Sequence, residues 1–160
     1  MKDRRVIAID RVLSRREALG RKLDAALAAQ RADVAQKTHA LAASRAQTEA
    51  QAAKLALEDA KLDAMLDGAF RPDVLLALRE WRAEESARLA ACEGDTARAV
   101  QTLAASEAAC AEARLRIVRN RARIDVYTRH RDRLAQALAQ AREDAEEEET
   151  SEQRRPARAA

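Results

Sequence analysis

The chain contains few of the residues that build compact cores and tight turns. Its 160 residues include three aromatic residues, three glycines, two prolines and two cysteines. Compact domains of this length normally contain more aromatic and turn-forming residues. If their segment is helical, Cys92 and Cys110 lie roughly 27 Å apart along it, whereas a disulfide needs Cα atoms within about 7 Å. We therefore expect no globular core, no disulfide and no metal site.

Long apolar runs are missing as well. No stretch of 18 apolar residues occurs, so we expect no direct insertion into a membrane. The charged N-terminal segment has an apolar run of only four residues, which is too short for a signal peptide. A cytoplasmic protein is the expectation. What the chain has instead is 41 alanines, with arginine, leucine, glutamate and glutamine in most other places, and these residues favour helices.

One strong break divides the chain at residues 67–72, Asp-Gly-Ala-Phe-Arg-Pro. Gly68 can adopt the left-handed conformation that closes a helix. Pro72 suits the first position of the next helix, where its missing N–H has no effect. Because a short loop makes two helices antiparallel neighbours, the sequence predicts an all-α fold, a long antiparallel two-helix coiled-coil hairpin. Arm one is predicted at about 4–66 and arm two at about 73–145.

Both arms carry a seven-residue repeat that is typical of a coiled coil. In arm two its first positions are Leu75, Arg82, Leu89, Thr96, Leu103, Cys110, Ile117, Ile124, Arg131 and Leu138. In arm one they are Val6, Leu13, Gly20, Leu27, Val34, Leu41, Thr48, Leu55 and Leu62. A companion position follows each of these three residues later. The two sets of positions predict the seam along which the arms pack.

The position of the loop sets the register of the two arms. Facing residues are expected to have numbers that sum to about 139, which places Gly20 opposite the region of Arg119 and Asn120. We interpret Asn120 as a polar residue that sets the register. The middle of the hairpin, about 42–54 against 85–99, is mainly alanine, polar and charged residues. Alanine contributes less buried area than leucine, so the sequence predicts a softer seam there.

Charge is distributed very unevenly along the chain. Residues 1–22 carry a net charge of +5 and residues 114–142 carry +7, whereas residues 23–113 carry −5 and residues 143–160 carry −4. The two basic segments are partners in the predicted hairpin, so its open end carries about +12. We call these two segments the basic end. A field this uneven steers an acidic partner to one end of the molecule, although an ordinary solvated helix surface is the competing interpretation.

The acidic C-terminal segment is expected to continue the second helix only briefly. The predicted organisation is a helical hairpin at residues 1–148 and a disordered C-terminal tail at residues 149–160. The tail could fold back to shield the basic end or simply aid solubility, and the sequence does not choose between these roles.

No set of residues in the sequence predicts catalysis. The phosphate-binding motif GxxxxGK[ST] is absent. Neither histidine is accompanied by the residues of a catalytic nucleophile. Glu84 and Glu85 are expected on an exposed helix flank, where no pocket would perturb them. Trp81 is interpreted as a residue that packs near the loop rather than as a platform for a ligand. We therefore expect a protein without enzymatic activity and without a cofactor.

Three stretches of the chain resemble the stalk proteins of type III secretion systems, the FliJ/YscO group, and most of all the Hrp-branch family encoded in secretion operons. The stretches are residues 65–70, residues 72–79 with Trp81, and residues 119–125. The overall pattern, an alanine- and arginine-rich hairpin with its loop near the middle, covers about residues 1–150. Arg71 departs from the pattern, because a capping serine is expected before the proline.

The resemblance implies a non-enzymatic partner of a hexameric export ATPase. FliJ-like proteins look like the central stalk of rotary ATPases: their terminal helices enter the pore of the hexamer, and the hairpin reaches toward the export gate protein. Some are also linked to the recycling of secretion chaperones. The implied location is the cytoplasm, at the periphery of the inner-membrane secretion apparatus.

Charge and position, rather than any family motif, select the candidate residues for binding the ATPase. They are arginines of the basic end on both arms: Arg4, Arg5, Arg11, Arg15, Arg16, Arg119, Arg121, Arg123, Arg129 and Arg133.

Two other functions compete with the stalk. A generic coiled-coil scaffold or a chaperone-escort protein would have the same repeat and could be dimeric. A nucleic-acid binder would use the basic end through counterion release, but Tyr127 is the only aromatic residue there and it lies on the seam. We therefore expect no nucleic-acid partner.

Overall fold

The computed structural model of the protein describes residues 3–153, and the side chain of Gln153 is not described. It contains two α-helices, α1 at Arg4–Leu66 and α2 at Pro72–Gln153. They pack as an antiparallel hairpin, which confirms the predicted fold class. The loop lies at residues 67–71. The break read from the sequence therefore locates the change of chain direction.

Local capping defines the start of each helix. The Asp3 carboxylate accepts a hydrogen bond of 2.7 Å from the backbone N–H of Arg5, so Asp3 is the N-terminal cap of α1. Pro72 is the first residue of α2, as predicted. The carbonyl of Arg71 accepts a bond of 3.1 Å from the Leu75 N–H, while its guanidinium binds Asp73 at 2.5 Å. Arg71 thus occupies the cap position before the helix, without a capping hydroxyl.

The end of α1 differs from the prediction. Gly68 does not have a positive φ, so it does not form the left-handed cap. Its N–H donates to the Met65 carbonyl at 3.4 Å, three residues back, and the Asp67 N–H donates to the Asp63 carbonyl at 3.2 Å. A tightened last turn satisfies these carbonyls, and the left-handed conformation is not needed.

The second helix is longer than predicted. It continues to Gln153, whereas the sequence placed its end near residue 145. Alanine and glutamate are strong helix formers, and their intrinsic preference outweighs the repulsion between neighbouring carboxylates here. The hydroxyls of Thr150 and Ser151 also bond to carbonyls three residues back, each at 2.9 Å. The predicted disordered tail begins at residue 149, but residues 149–153 are helical instead, and residues 154–160 fall outside the described residues.

The chain divides into two compact units. The terminal unit comprises Met1–Ala26 and Arg114–Ala160, and the loop unit comprises Leu27–Ala113. In both units the buried residues follow the predicted heptad positions. Across the described chain, the residues that are less than a tenth exposed are Leu13, Leu27, Leu41, Gln51, Leu75, Glu85, Ser106, Cys110, Ile117 and Asn120. All ten belong to the predicted seam, which confirms the coiled-coil repeat.

Leu13, Ile117 and Asn120 are the buried residues of the terminal unit. Full burial of a leucine or isoleucine side chain contributes about 1.5–3 kcal/mol. The Asn120 amide donates a hydrogen bond of 3.0 Å to the carbonyl of Arg16. A Cβ on Gly20 would lie 3.4 Å from the Asn120 nitrogen. The expected position of Gly20 opposite the region of Arg119 and Asn120 is therefore confirmed, and the glycine gives the Asn120 amide room to reach the backbone.

Hydrogen bonds between side chains cross the seam in the middle of the loop unit. The hydroxyl of Thr96 is 2.8 Å from the Ser44 hydroxyl and 3.0 Å from the Thr48 hydroxyl. These pairs sum to 140 and 144, close to the expected register. The small polar residues of this region, where the sequence predicts a softer seam, therefore form hydrogen bonds between the two helices.

A second polar contact in the loop unit corrects a prediction. Glu85 is not on an exposed flank, because it is only 3% exposed. The Gln51 amide donates to the Glu85 carboxylate, and it also donates to the Glu85 carbonyl at 3.3 Å. Arg88, one turn later on α2, forms an ion pair with the same carboxylate. Buried charges normally need such partners, and Glu85 lies on a companion seam position.

Candidate partner-binding surface

The terminal unit brings together the two basic segments that are far apart in sequence. All ten candidate arginines lie in it, five on α1 and five on α2. Nine of them are exposed, and Arg16 is half-buried beside the seam. The structure therefore gathers the candidate residues in one unit, where nine of the ten residues are exposed.

Some arginines of this unit lie near carboxylates. Arg121 lies 3.8 Å from Asp24, a long ion pair between exposed side chains. Arg131, which was not among the candidates, is 2.7 Å from Asp132 and 4.0 Å from Asp10. The hydrogen bonds that Arg131 donates to Asp132, and then the charge of Asp132, raise the pKa of Arg131 above the ordinary value for arginine. Ion pairs between exposed side chains are weak, so these contacts do not hold Arg121 or Arg131 firmly.

Two adjoining grooves lie between the helices of the terminal unit, and both are lined by Arg16 and Arg123. We call them together the basic groove. The first is lined by Arg16, Leu19, Leu23, Arg116, Arg119, Asn120 and Arg123. The second is lined by Arg16, Ala122, Arg123, Val126 and Tyr127. Neither lining includes a carboxylate. The groove thus combines an apolar floor with an arginine rim.

Arg116, Leu19 and Val126 are groove residues that sequence reasoning missed. Net charge indicates only the arginines of this unit. The heptad pattern indicates seam residues that pack inside, so neither pattern points to an exposed apolar residue. A signal was available: residues next to a seam position on one flank of each helix line the edge of the interface. Arg116 and Arg123 occupy the same heptad position, seven residues apart, and this flank is where the groove lies.

The loop unit has a different surface. Several large apolar side chains near the loop are exposed, namely Leu57, Leu66, Phe70, Val74, Leu76 and Trp81. Trp81, which the sequence predicts to pack near the loop, is 48% exposed. The Arg88 guanidinium lies 5.7 Å from the centre of its ring, a cation–π distance. A shallow furrow beside it is lined by Lys54, Leu57 and Glu58.

Within residues 3–153, no three His, Cys, Asp or Glu side chains are grouped so that they could hold a metal ion. Over the same residues, neither helix has a segment apolar enough to cross a bilayer. The surface of the terminal unit presents guanidinium groups, which can bind carboxylates and phosphates through paired hydrogen bonds. Apolar side chains lie between these groups.

These features define a class of helical-hairpin protein with a charged, groove-bearing surface on one unit and an exposed apolar surface on the other. The chain belongs to the HrpB7 family of bacterial type III secretion proteins, whose sequence model matches residues 4–157. The resemblance to the Hrp-branch family is thereby confirmed. Comparison with curated proteins and with solved structures finds no significant match to either.

Proposed function

We propose that this type III secretion protein is a non-enzymatic stalk that docks through its basic end on the hexameric export ATPase and links it to the export gate protein. In this proposal it works in the cytoplasm, at the periphery of the inner-membrane secretion apparatus. Membership of a type III secretion family supports the setting. The FliJ-like resemblance supplies the two partners.

One observation carries the proposal: ten arginines from two distant segments lie in one unit, and nine of them are exposed. Such a surface attracts an acidic partner from a distance and raises the rate of association. It would suit an acidic lining in the ATPase pore. The charges are exposed, so the attraction would weaken as salt shortens the screening length to about 8 Å at physiological ionic strength.

The loop unit supports the second partner. Its exposed apolar residues include Phe70 in the loop itself and Val74 in the first turn of α2. Exposed apolar patches on a soluble surface often mark protein–protein contacts. In the proposal this surface faces the gate, while the arginines face the ATPase.

Charge reversal tests the proposal. The variant Arg11→Glu/Arg15→Glu/Arg129→Glu should abolish binding to the purified export ATPase and the stimulation of ATP hydrolysis. The matched control Arg31→Glu/Arg45→Glu/Arg79→Glu reverses three exposed arginines of the loop unit. It should change stimulation less than about threefold, because it leaves the docking charges intact.

Circular dichroism should show the same helix content in both variants. Stimulation that survives the terminal reversals, or that is lost equally in the control, would contradict docking through the basic end. An ATPase that never responds to the wild-type protein, combined with a dimeric solution mass, would favour the coiled-coil scaffold.

A further inference from the structure

We infer that the basic groove of the terminal unit binds an acidic amphipathic α-helix of a partner protein. The inference names the chemistry of the segment that the basic end recognises, and in that respect it rests on the proposed function. It concerns one flank of the terminal unit, rather than its total charge.

Charge complementarity identifies the polar half of the occupant. Arg16 and Arg123 line both parts of the groove. Neither makes an ion pair with a carboxylate within the described part of the chain. Arg116 and Arg119 add two further guanidinium groups to the rim. A groove whose lining contains Arg16 and Arg123 and no carboxylate fits a segment with several Asp or Glu residues.

The floor of the groove identifies the apolar half. Leu19, which is 39% exposed, and Leu23 lie on the α1 side, and Val126, which is 64% exposed, lies with Tyr127 on the α2 side. A purely acidic chain would leave these side chains in water. A segment with both leucine-like residues and carboxylates covers the floor and pairs with the rim at the same time.

The length of the groove favours a helix as the bound conformation. Along α2 its lining runs from Arg116 to Tyr127, which is roughly 16 Å or three helical turns. A third helix laid against two others inserts residues at i, i+3, i+4 and i+7 into such a furrow. The partner segment would therefore be a helix of at least three turns with an apolar face and an acidic rim.

The acidic end of α2 in a second copy is a weaker candidate. Residues 139–152 are exposed and include seven carboxylates. Their apolar residues, however, are alanines, which do not fill a floor of leucine, valine and tyrosine. Self-association is therefore an outcome of the test rather than the proposal.

The probe is a fluorescein-labelled 24-residue helical peptide with leucines at i, i+3, i+4 and i+7 and glutamates at most other positions. Tyr127 is the only tyrosine of the chain and Trp81 the only tryptophan, so 3-fluorotyrosine and 5-fluorotryptophan label one site in each unit. Fluorine NMR should show a shift at Tyr127 on peptide addition and none at Trp81. A shift at Trp81 alone would overturn the inference.

Two pairs of variants separate the groove from charge in general. Arg16→Glu/Arg123→Glu should weaken peptide binding by about tenfold or more, while Arg21→Glu/Arg114→Glu, with the same change of charge outside the groove, should weaken it less than about threefold. Leu19→Ser should weaken binding severalfold. Leu115→Ser, which changes a 49% exposed residue outside the groove, should not. Equal losses within either pair would overturn the inference.

Competing ligands complete the test. A peptide with its leucines replaced by serine should bind much more weakly, and single-stranded oligothymidylate should not displace the original peptide. Oligothymidylate that binds more tightly than the peptide and displaces it would identify a nucleic-acid surface instead. Self-association that disappears on truncation after residue 142 and competes with the peptide would identify a second copy as the occupant. If the peptide binds through the groove while the export ATPase ignores both arginine reversals, the groove inference stands and the proposed function fails.

Discussion

The two units solve the same packing problem with different chemistry. In the loop unit, polar side chains on the seam bond to each other, as Gln51 does with Glu85 and as Thr96 does with Ser44 and Thr48. In the terminal unit the single buried polar side chain is Asn120, and its Oδ1 has no hydrogen-bond partner among the described residues. The loop unit has paired polar side chains on its seam, whereas the terminal unit gathers exposed arginines from both helices on its surface.

This difference separates two uses of polar residues in one hairpin. Inward hydrogen bonds fix which residues of the two helices face each other, because a shift in register would leave buried polar groups unpaired. Outward arginines add little to stability, since exposed pairs are weak, but they are available to a partner. Register and recognition are thus assigned to different parts of the same two helices.

The largest effect is expected at the buried pair of Gln51 and Glu85. Gln51→Leu alone should lower the free energy of unfolding by about 1–3 kcal/mol, because it removes a partner from a buried carboxylate. The double variant Gln51→Leu/Glu85→Leu should be as stable as the wild type or more so, since apolar residues of similar size often replace a buried polar pair at no cost. Urea unfolding measures both. A double variant less stable than the single one would refute this account.

The matching test in the terminal unit is Asn120→Leu. It removes a buried acceptor without a partner and should raise the free energy of unfolding by about 1 kcal/mol. It also removes the bond to the Arg16 carbonyl, so other registers or oligomers become accessible. Thermal unfolding combined with light scattering checks both parts. Loss of stability together with an unchanged solution mass would contradict the register role.

Hydrogen exchange tests whether the polar middle of the seam opens first. Amides near Thr48 and Gly94 should exchange about tenfold faster than those at residues 117–127, because local opening is easier where little apolar area is buried. Mass spectrometry of short peptic peptides resolves these segments. Equal protection would show that the hydrogen bonds of Thr96 compensate for the missing leucines.

The helical glycines offer a smaller comparison between the units. Gly94→Ala should raise the free energy of unfolding by up to about 1 kcal/mol, because the new Cβ meets only the flexible end of Arg98, at 3.7 Å. Gly20→Ala should gain less, since its Cβ meets the Asn120 amide at 3.4 Å. Paired urea titrations measure the difference. A larger gain at Gly20 would mean that the Asn120 contact does not depend on the glycine.

The smallest effect concerns Asp33 in the loop unit. Hydrogen bonds from Lys37, at 2.7 Å, and then from Ser106 lower the pKa of this carboxyl. A lowered folded-state pKa stabilises the fold above the ordinary pKa of aspartate, and this contribution disappears as the pH falls below about 4. The urea midpoint should therefore fall between pH 6 and pH 3 slightly more for the wild type than for Asp33→Asn. An identical fall in both would exclude a contribution from Asp33.

Seam positions were predictable because a repeat of seven leaves a signal in the sequence whatever the partner residue is. Leu13, Leu41 and Ile117 are buried where the repeat placed them. The burial of Glu85 was not predictable in the same way. Its charge favours the surface when considered alone, and only Gln51 across the seam and Arg88 one turn along α2 make its burial tolerable.

The set of candidate arginines was likewise predictable, but the groove that some of them line was not. Net charge located the basic end. That Arg16 and Arg123 line the same groove as Leu19 and Val126 depends on which flanks of the two helices face the same side. Composition does not contain that information, because it arises from the register and rotation of two separate segments.

By itself the sequence determined the two helices, the place of the loop, the seam and the uneven charge, because helix preference, chain breaks and heptad spacing are local properties. Tertiary structure alone decided that Gly68 closes α1 without a left-handed turn, that Glu85 and Gln51 share a buried contact, and that arginines from both arms border one groove. These features depend on atoms far apart in the chain or on the geometry of one particular turn, and only packing brings those atoms into contact.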